Sequence, residues 1–179
     1  MLDRHAPLRT LRRFFAGLTE QTFQSQLGVA DPPLLDYIAE LLTRFVRCED
    51  IFSIRNLTGK RLDQLAGMLA EAQQRQGEAR RKVHRHIGDF TLFWTGVYPE
   101  MLERLRGADR QDSMLDYLAH GKRSYYIAST IPVKKEAAPA DVLERLSQQF
   151  ELCAYGLGQV RQEWERRDGD DAVESFLIN

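Results

Sequence analysis

The sequence predicts an all-α protein, a single-domain bundle of roughly six to eight helices with a long C-terminal helix. Three observations predict it. Apolar residues recur at steps of three and four along most of the chain, capping signatures precede several of these runs, and Gly and Pro fall mainly between them. No run of strand length alternates in a way that would compete. A chain of 179 residues lies in the range of one compact domain, so one helical domain is expected over 1–179, with an ordered core at about 8–166 and an acidic tail at 167–179.

The first segment, Leu8 to Leu27, carries Leu11, Phe14, Phe15, Leu18 and Phe23 on one side, with a break expected near Thr19 and a left-handed stop at Gly28. Asp31 before Pro32 reads as an N-cap with proline in the first turn, ahead of Leu34, Ile38, Leu41 and Phe45. A short segment at Asp50 to Arg55 leads through Thr58 and Gly59 to a run with Leu62, Leu65, Met68, Leu69 and Ala72, which Gly77 ends or bends. From Glu78 the stripe resumes as Val83, Ile87, Phe90, Trp94, Val97 and Met101, with Pro99 kinking its end.

Ser113 and Asp116 read as a capping box before Met114, Leu118, Gly121, Tyr125 and Ala128. Pro132 to Pro139 reads as loop, and Asp141 with Glu144 as a second capping box. The last helix repeats Leu143, Leu146, Phe150, Cys153, Leu157, Val160 and Trp164, a heptad seam that must be buried either inside the chain or against a second copy. Ala154 and Gly156 beside it permit close helix approach.

Composition excludes several classes. Hydrophobic residues at 43% and charged residues at 28% describe a chain able to bury a core, and a formal charge of -1 supplies no field to hold phosphate backbones or anionic lipid. The expectation is therefore no nucleic acid and no membrane. The longest apolar stretch, Phe90 to Tyr98, is about half of the roughly 20 residues a spanning helix needs. Two isolated cysteines, Cys48 and Cys153, fit a reducing, cytoplasmic setting, and Arg12 and Arg13 interrupt the first hydrophobic stretch before it reaches signal-peptide length.

Catalytic signatures are absent: Gly59-Lys60-Arg61 and Gly121-Lys122-Arg123 lack the rest of a phosphate loop, and no His follows a Glu at di-iron spacing. His84 and His86, two apart, diverge by about 200° around a helix and cannot share one ion. They read as ordinary polar residues at the surface flanking the stripe, and no metal and no cofactor is expected. Asp116, His120 and Ser124, spaced by four, have the types of a catalytic triad, but a mid-helix Ser usually bonds the preceding turn, so a hydrogen-bonded line is the expected role.

The candidate binding residues cluster in two places. Arg75, Arg80, Arg81, Lys82 and Arg85 form a local cationic surplus, balanced either by the acidic tail and solvent or by a small anionic ligand or acidic partner. Asp89, the one charge in the apolar stretch that follows, calls for Arg85 or Arg81 as an ion-pair partner. Gly88, Leu92 and Gly96 lie opposite the Phe90 and Trp94 stripe and invite close packing.

The functional expectation is a non-catalytic interaction or regulatory protein that self-associates as a homodimer, possessing enough aromatics and seam to do so. The alternative is a helical sensor or enzyme whose pocket is lined by Phe93, Trp94, Tyr98, Tyr117, Tyr125 and Tyr126 around His120, the same rings being equally suited to core packing.

Overall fold

The computed structural model describes residues 6–46, 64–102, 114–134 and 138–167. Among them the chain is all-α: helices α1 (Ala6–Thr22), α2 (Pro32–Phe45), α3 (Leu65–Gln74), α4 (Gly77–Gly96), α5 (Met114–Thr130), α6 (Ala140–Gln148) and α7 (Phe150–Arg167), with a π-turn at Phe23–Leu27, a 3-10 turn at Pro99–Met101, and no strand. None of the described helices is long and apolar enough to cross a membrane. The segment Asp50 to Leu62, Ser113 of the first capping box, and the acidic tail beyond Arg167 lie outside the described residues.

The chain divides into two compact units, one formed by Met1–Ile51 with Gly156–Asn179, the other by Phe52–Tyr155. In the first unit α1 runs unbroken past Thr19, which is buried, and widens into the π-turn only after Thr22. Gly28 closes it at φ 68, and the Val29 N–H returns to the Phe23 carbonyl at 3.0 Å, which satisfies a terminal acceptor. Asp31 then caps α2 as expected, its Oδ1 accepting from the Leu34 N–H at 3.3 Å ahead of proline in the first turn. Helix α2 packs on α1 and buries Leu34, Ile38, Leu41 and Phe45. The late part of α7 joins this unit: Trp164 meets Phe15 edge to face at 5.5 Å, and Gly156 sits against the Phe23 ring, where a Cβ would collide.

In the second unit α4 is the central helix, packed by both α3 and α5, and α6 covers α5. Gly77, at φ 55, starts α4, and Arg75 and Gln76 separate it from the end of α3, so the helical run ends there in a full break. From Val83 to Gly96 every position of α4 is buried except Arg85, which is half-buried. Thr91 and Thr95 are tolerated there because their hydroxyls donate to the Ile87 and Thr91 carbonyls at 2.7 Å.

Two helix expectations need correction. The heptad seam is not one helix, because Gln149 leaves helical geometry at φ -112, ψ 26 and separates α6 from α7. The seven apolar positions are buried all the same, Leu143, Leu146, Phe150 and Cys153 in the second unit and Leu157, Val160 and Trp164 in the first. Three-four periodicity reports which side chains face a core; it does not require one core or one helix. Since the chain itself covers the seam, a second copy is not needed to bury it. The Asp141 and Glu144 capping box does not form either, as α6 begins after Pro139 with no side-chain cap. Asp141 instead pairs with Arg145 at 3.3 Å, and Glu144 accepts from Gln148 Nε2 at 3.3 Å, each one turn away.

Candidate functional site

The polar side chains with chemical potential converge on the seam between α4 and α5. These helices run antiparallel there, since Arg81 reaches Ala128 while Thr91 faces Gly121. Close approach is set by glycine: a Cβ on Gly88 would lie 2.6 Å from Tyr125 Cδ1 and Cε1, so only a bare backbone admits that ring. Tyr125, fully buried, directs its hydroxyl into α4 and donates to Asp89 Oδ1 at 2.7 Å. Asp89 also pairs with Arg85, Nε to Oδ2 at 3.8 Å, as its helical spacing predicts. A carboxylate this deeply buried needs both a donor and a counter-charge, and it has them.

Arg81 does not serve Asp89. It is buried, and its guanidinium donates to two carbonyls, Nε to Ala128 at 3.0 Å and Nη2 to Ala138 at 2.7 Å. It thereby ties the last turns of α5 to the residues that lead into α6, satisfying acceptors that a helix end leaves open. Arg75 is likewise engaged, with Glu71 at 2.7 Å. The compensating acids of the cationic run are therefore local ones for Arg75 and Arg85.

His84 and His86 are not surface residues; both are buried, because the buried arc of α4 is wide enough to include positions on either side of its stripe. His84 Nδ1 lies 3.3 Å from Ser124 Oγ across the helix pair. Burial, followed by the fields of Arg80 and Arg123, pushes His84 down from its ordinary 6.5 to about 4, which leaves it neutral at pH 7. Ser124 is thus bonded to a histidine on another helix, while His120, its neighbour by spacing on α5, is half-buried one turn earlier and Asp116 one turn before that. The Asp116, His120, Ser124 line is a spacing coincidence as far as the serine is concerned.

No family model matches the sequence, and no curated protein or solved structure matches the chain.

The aromatic candidates are brought together in part. Phe93, Trp94 and Tyr98 touch one another with ring centroids 5.4 to 6.1 Å apart, and Phe90 joins Trp94 at 6.3 Å and Tyr117 at 6.2 Å. Tyr125 belongs to a different contact, with Phe150 at 6.1 Å. Tyr126 is no lining residue: one position on from Tyr125, it turns about 100° around α5 and is 55% exposed. Among the described residues, no group of three or more His, Cys, Asp or Glu could hold a metal ion. The sequence signals missed two members of the polar seam, Ser124 as the partner of His84 and Tyr125 as the donor to Asp89. Both partnerships cross from one helix to another, where intrahelical spacing carries no information.

Proposed function

We propose that the chain is a non-catalytic helical interaction or regulatory protein that acts as a homodimer in a reducing, cytoplasmic setting. The observation that carries this reading is a set of large apolar side chains left exposed on two helices of the second unit. Tyr155 at 62%, Tyr126 at 55% and Leu152 at 39% are left in solvent by a unit that buries most of the other large apolar side chains among its described residues. The Lys122–Glu151 pair at 2.7 Å links the two helices concerned, with Tyr126 one turn beyond Lys122 and Tyr155 one turn beyond Glu151. Tyrosine combines apolar area with a polar tip and few rotamers to immobilise, which suits it to an interface. Charges of both signs on the same two helices suit a two-fold contact between identical surfaces, which must be self-complementary.

The engagement of Ser124 with His84, of Asp89 with Tyr125, and of Arg81 with two carbonyls supports a role without catalysis, since these groups already act in holding helices together. The scarcity of cysteine supports the reducing location, and the near-zero net charge supports a protein partner over nucleic acid. Light scattering and native mass spectrometry test the proposal. The wild type is expected at twice the 20.7 kDa chain mass. The double variant Tyr126→Glu, Tyr155→Glu is expected at single-chain mass with its helical dichroism retained. A wild type that stays monomeric across the accessible concentration range overturns the homodimer.

A further inference from the structure

We propose that Arg80, His84, Arg123 and Ser124 form a binding site for a phosphate dianion at the junction of α4 and α5. Sequence reading pointed to the cationic run as a whole, yet the structure commits Arg75, Arg81 and Arg85 to other partners. Arg80 is different. Its Nε is shielded from solvent and has no hydrogen-bond partner, and among the described residues no carboxylate pairs with Arg80, Arg123 or His84. A shielded guanidinium donor without an acceptor is costly, and an oxyanion is the acceptor its chemistry fits best.

The four residues share one region. Arg80 and His84 are one turn apart on α4, His84 contacts Ser124 on α5, and Arg123 precedes Ser124 on α5, turned about 100° from it toward solvent. The fields of both arginines reach His84. Exposure grades across the group: His84 and Ser124 are buried, Arg80 is half-buried and Arg123 is exposed. The gradient puts two polar groups inside and two cations toward solvent, the order in which an anion arriving from solvent would meet them.

The buried pair supplies a donor whichever way its hydrogen bond runs. When the Ser124 hydroxyl donates to His84 Nδ1, the neutral ring carries its proton on Nε2. When His84 Nδ1–H donates instead, the Ser124 hydroxyl hydrogen is left to turn toward a ligand. Two guanidinium forks and one neutral donor match the oxygens of a phosphate group, and the two arginines balance its two negative charges.

Isothermal titration calorimetry at about pH 7.5, above the second pKa of about 6 of a phosphate monoester, tests the site with inorganic phosphate and with phenyl phosphate as a small monoester. Saturable binding of at least one probe is expected, and the tighter of the two identifies whether the ligand is phosphate itself or a phosphorylated small molecule. Arg80→Gln and Arg123→Gln are each expected to weaken it roughly ten- to a hundredfold, the range for losing a charge-assisted contact. Lys82→Gln removes the same charge from an exposed position of α4 and is expected to leave affinity unchanged. Dichroism of each variant checks that it is folded. Absence of saturable binding of both probes to the wild type overturns the site, and so does an equal loss in Lys82→Gln, which would mark a diffuse field.

Discussion

Replacing Gly88 with Ala tests the α4/α5 seam, because backbone propensity and packing predict opposite signs. Alanine in place of a mid-helix glycine normally stabilises by about 0.5–1 kcal/mol. At Gly88 the new methyl would stand 2.6 Å from two carbons of the Tyr125 ring and 2.7 Å from a third. That ring is fully buried and anchored through its hydroxyl to Asp89 at 2.7 Å. Overpacking of this kind costs about 1–3 kcal/mol, and loss of a hydrogen bond to a carboxylate costs about 1.5–3 more if the ring must swing away. Packing therefore wins, and a net destabilisation of about 2 kcal/mol is expected.

Gly17 on α1 is the control, since a Cβ there meets nothing within 4 Å and the residue is exposed. Gly17→Ala should stabilise by about 0.5–1 kcal/mol. Each unit holds one of the two tryptophans, Trp94 in the second and Trp164 in the first. Urea unfolding followed by Trp94 emission in a Trp164→Phe background, and by Trp164 emission in a Trp94→Phe background, reads the two substitutions separately. A Gly88→Ala protein as stable as its parent refutes the packing argument, and so does one whose near-ultraviolet tyrosine signal is unchanged.

Three further outcomes are expected. His84 holds off its proton to about pH 4 in the folded chain but takes it up near 6.5 when unfolded, so the unfolded state binds more protons between these values. Stability should therefore fall by on the order of 3 kcal/mol as pH drops from 6.5 to 4, in phosphate-free buffer, and urea midpoints of His84→Gln should lose that slope. Arg81→Met leaves the Ala128 and Ala138 carbonyls without their donor and should cost about 3 kcal/mol, with faster amide exchange over residues 128–134; exchange no faster than wild type would show that Arg81 is not the tie. Leu157→Asp places a charge at a site that is fully buried within the chain, so Trp164 emission should report unfolding of the first unit; a folded, half-mass species would instead return the seam to a subunit interface.

Local chemistry made much of the fold legible. Asp31 followed by Pro32 identifies a helix start because a short acceptor and a preset φ satisfy the first turn whatever lies beyond. Gly28 marks a stop because left-handed backbone excludes most side chains. The Val83 to Val97 stripe and the Asp89–Arg85 pair follow from the pitch of one helix, and so were readable from spacing. The break of the Leu143 to Trp164 seam at Gln149, and its passage from one core to another within α7 after Tyr155, were not, because the apolar rhythm continues unchanged through both points. Nor was the choice of partners at the seam between α4 and α5: Ser124 bonds to His84, Tyr125 to Asp89, and Arg81 to two carbonyls because an antiparallel packing brings those residues within reach. Residue identity and spacing determined which segments coil and which faces are buried, since those depend on neighbours within a turn. Only the tertiary structure decided which polar group meets which, since that depends on the register between helices far apart in sequence.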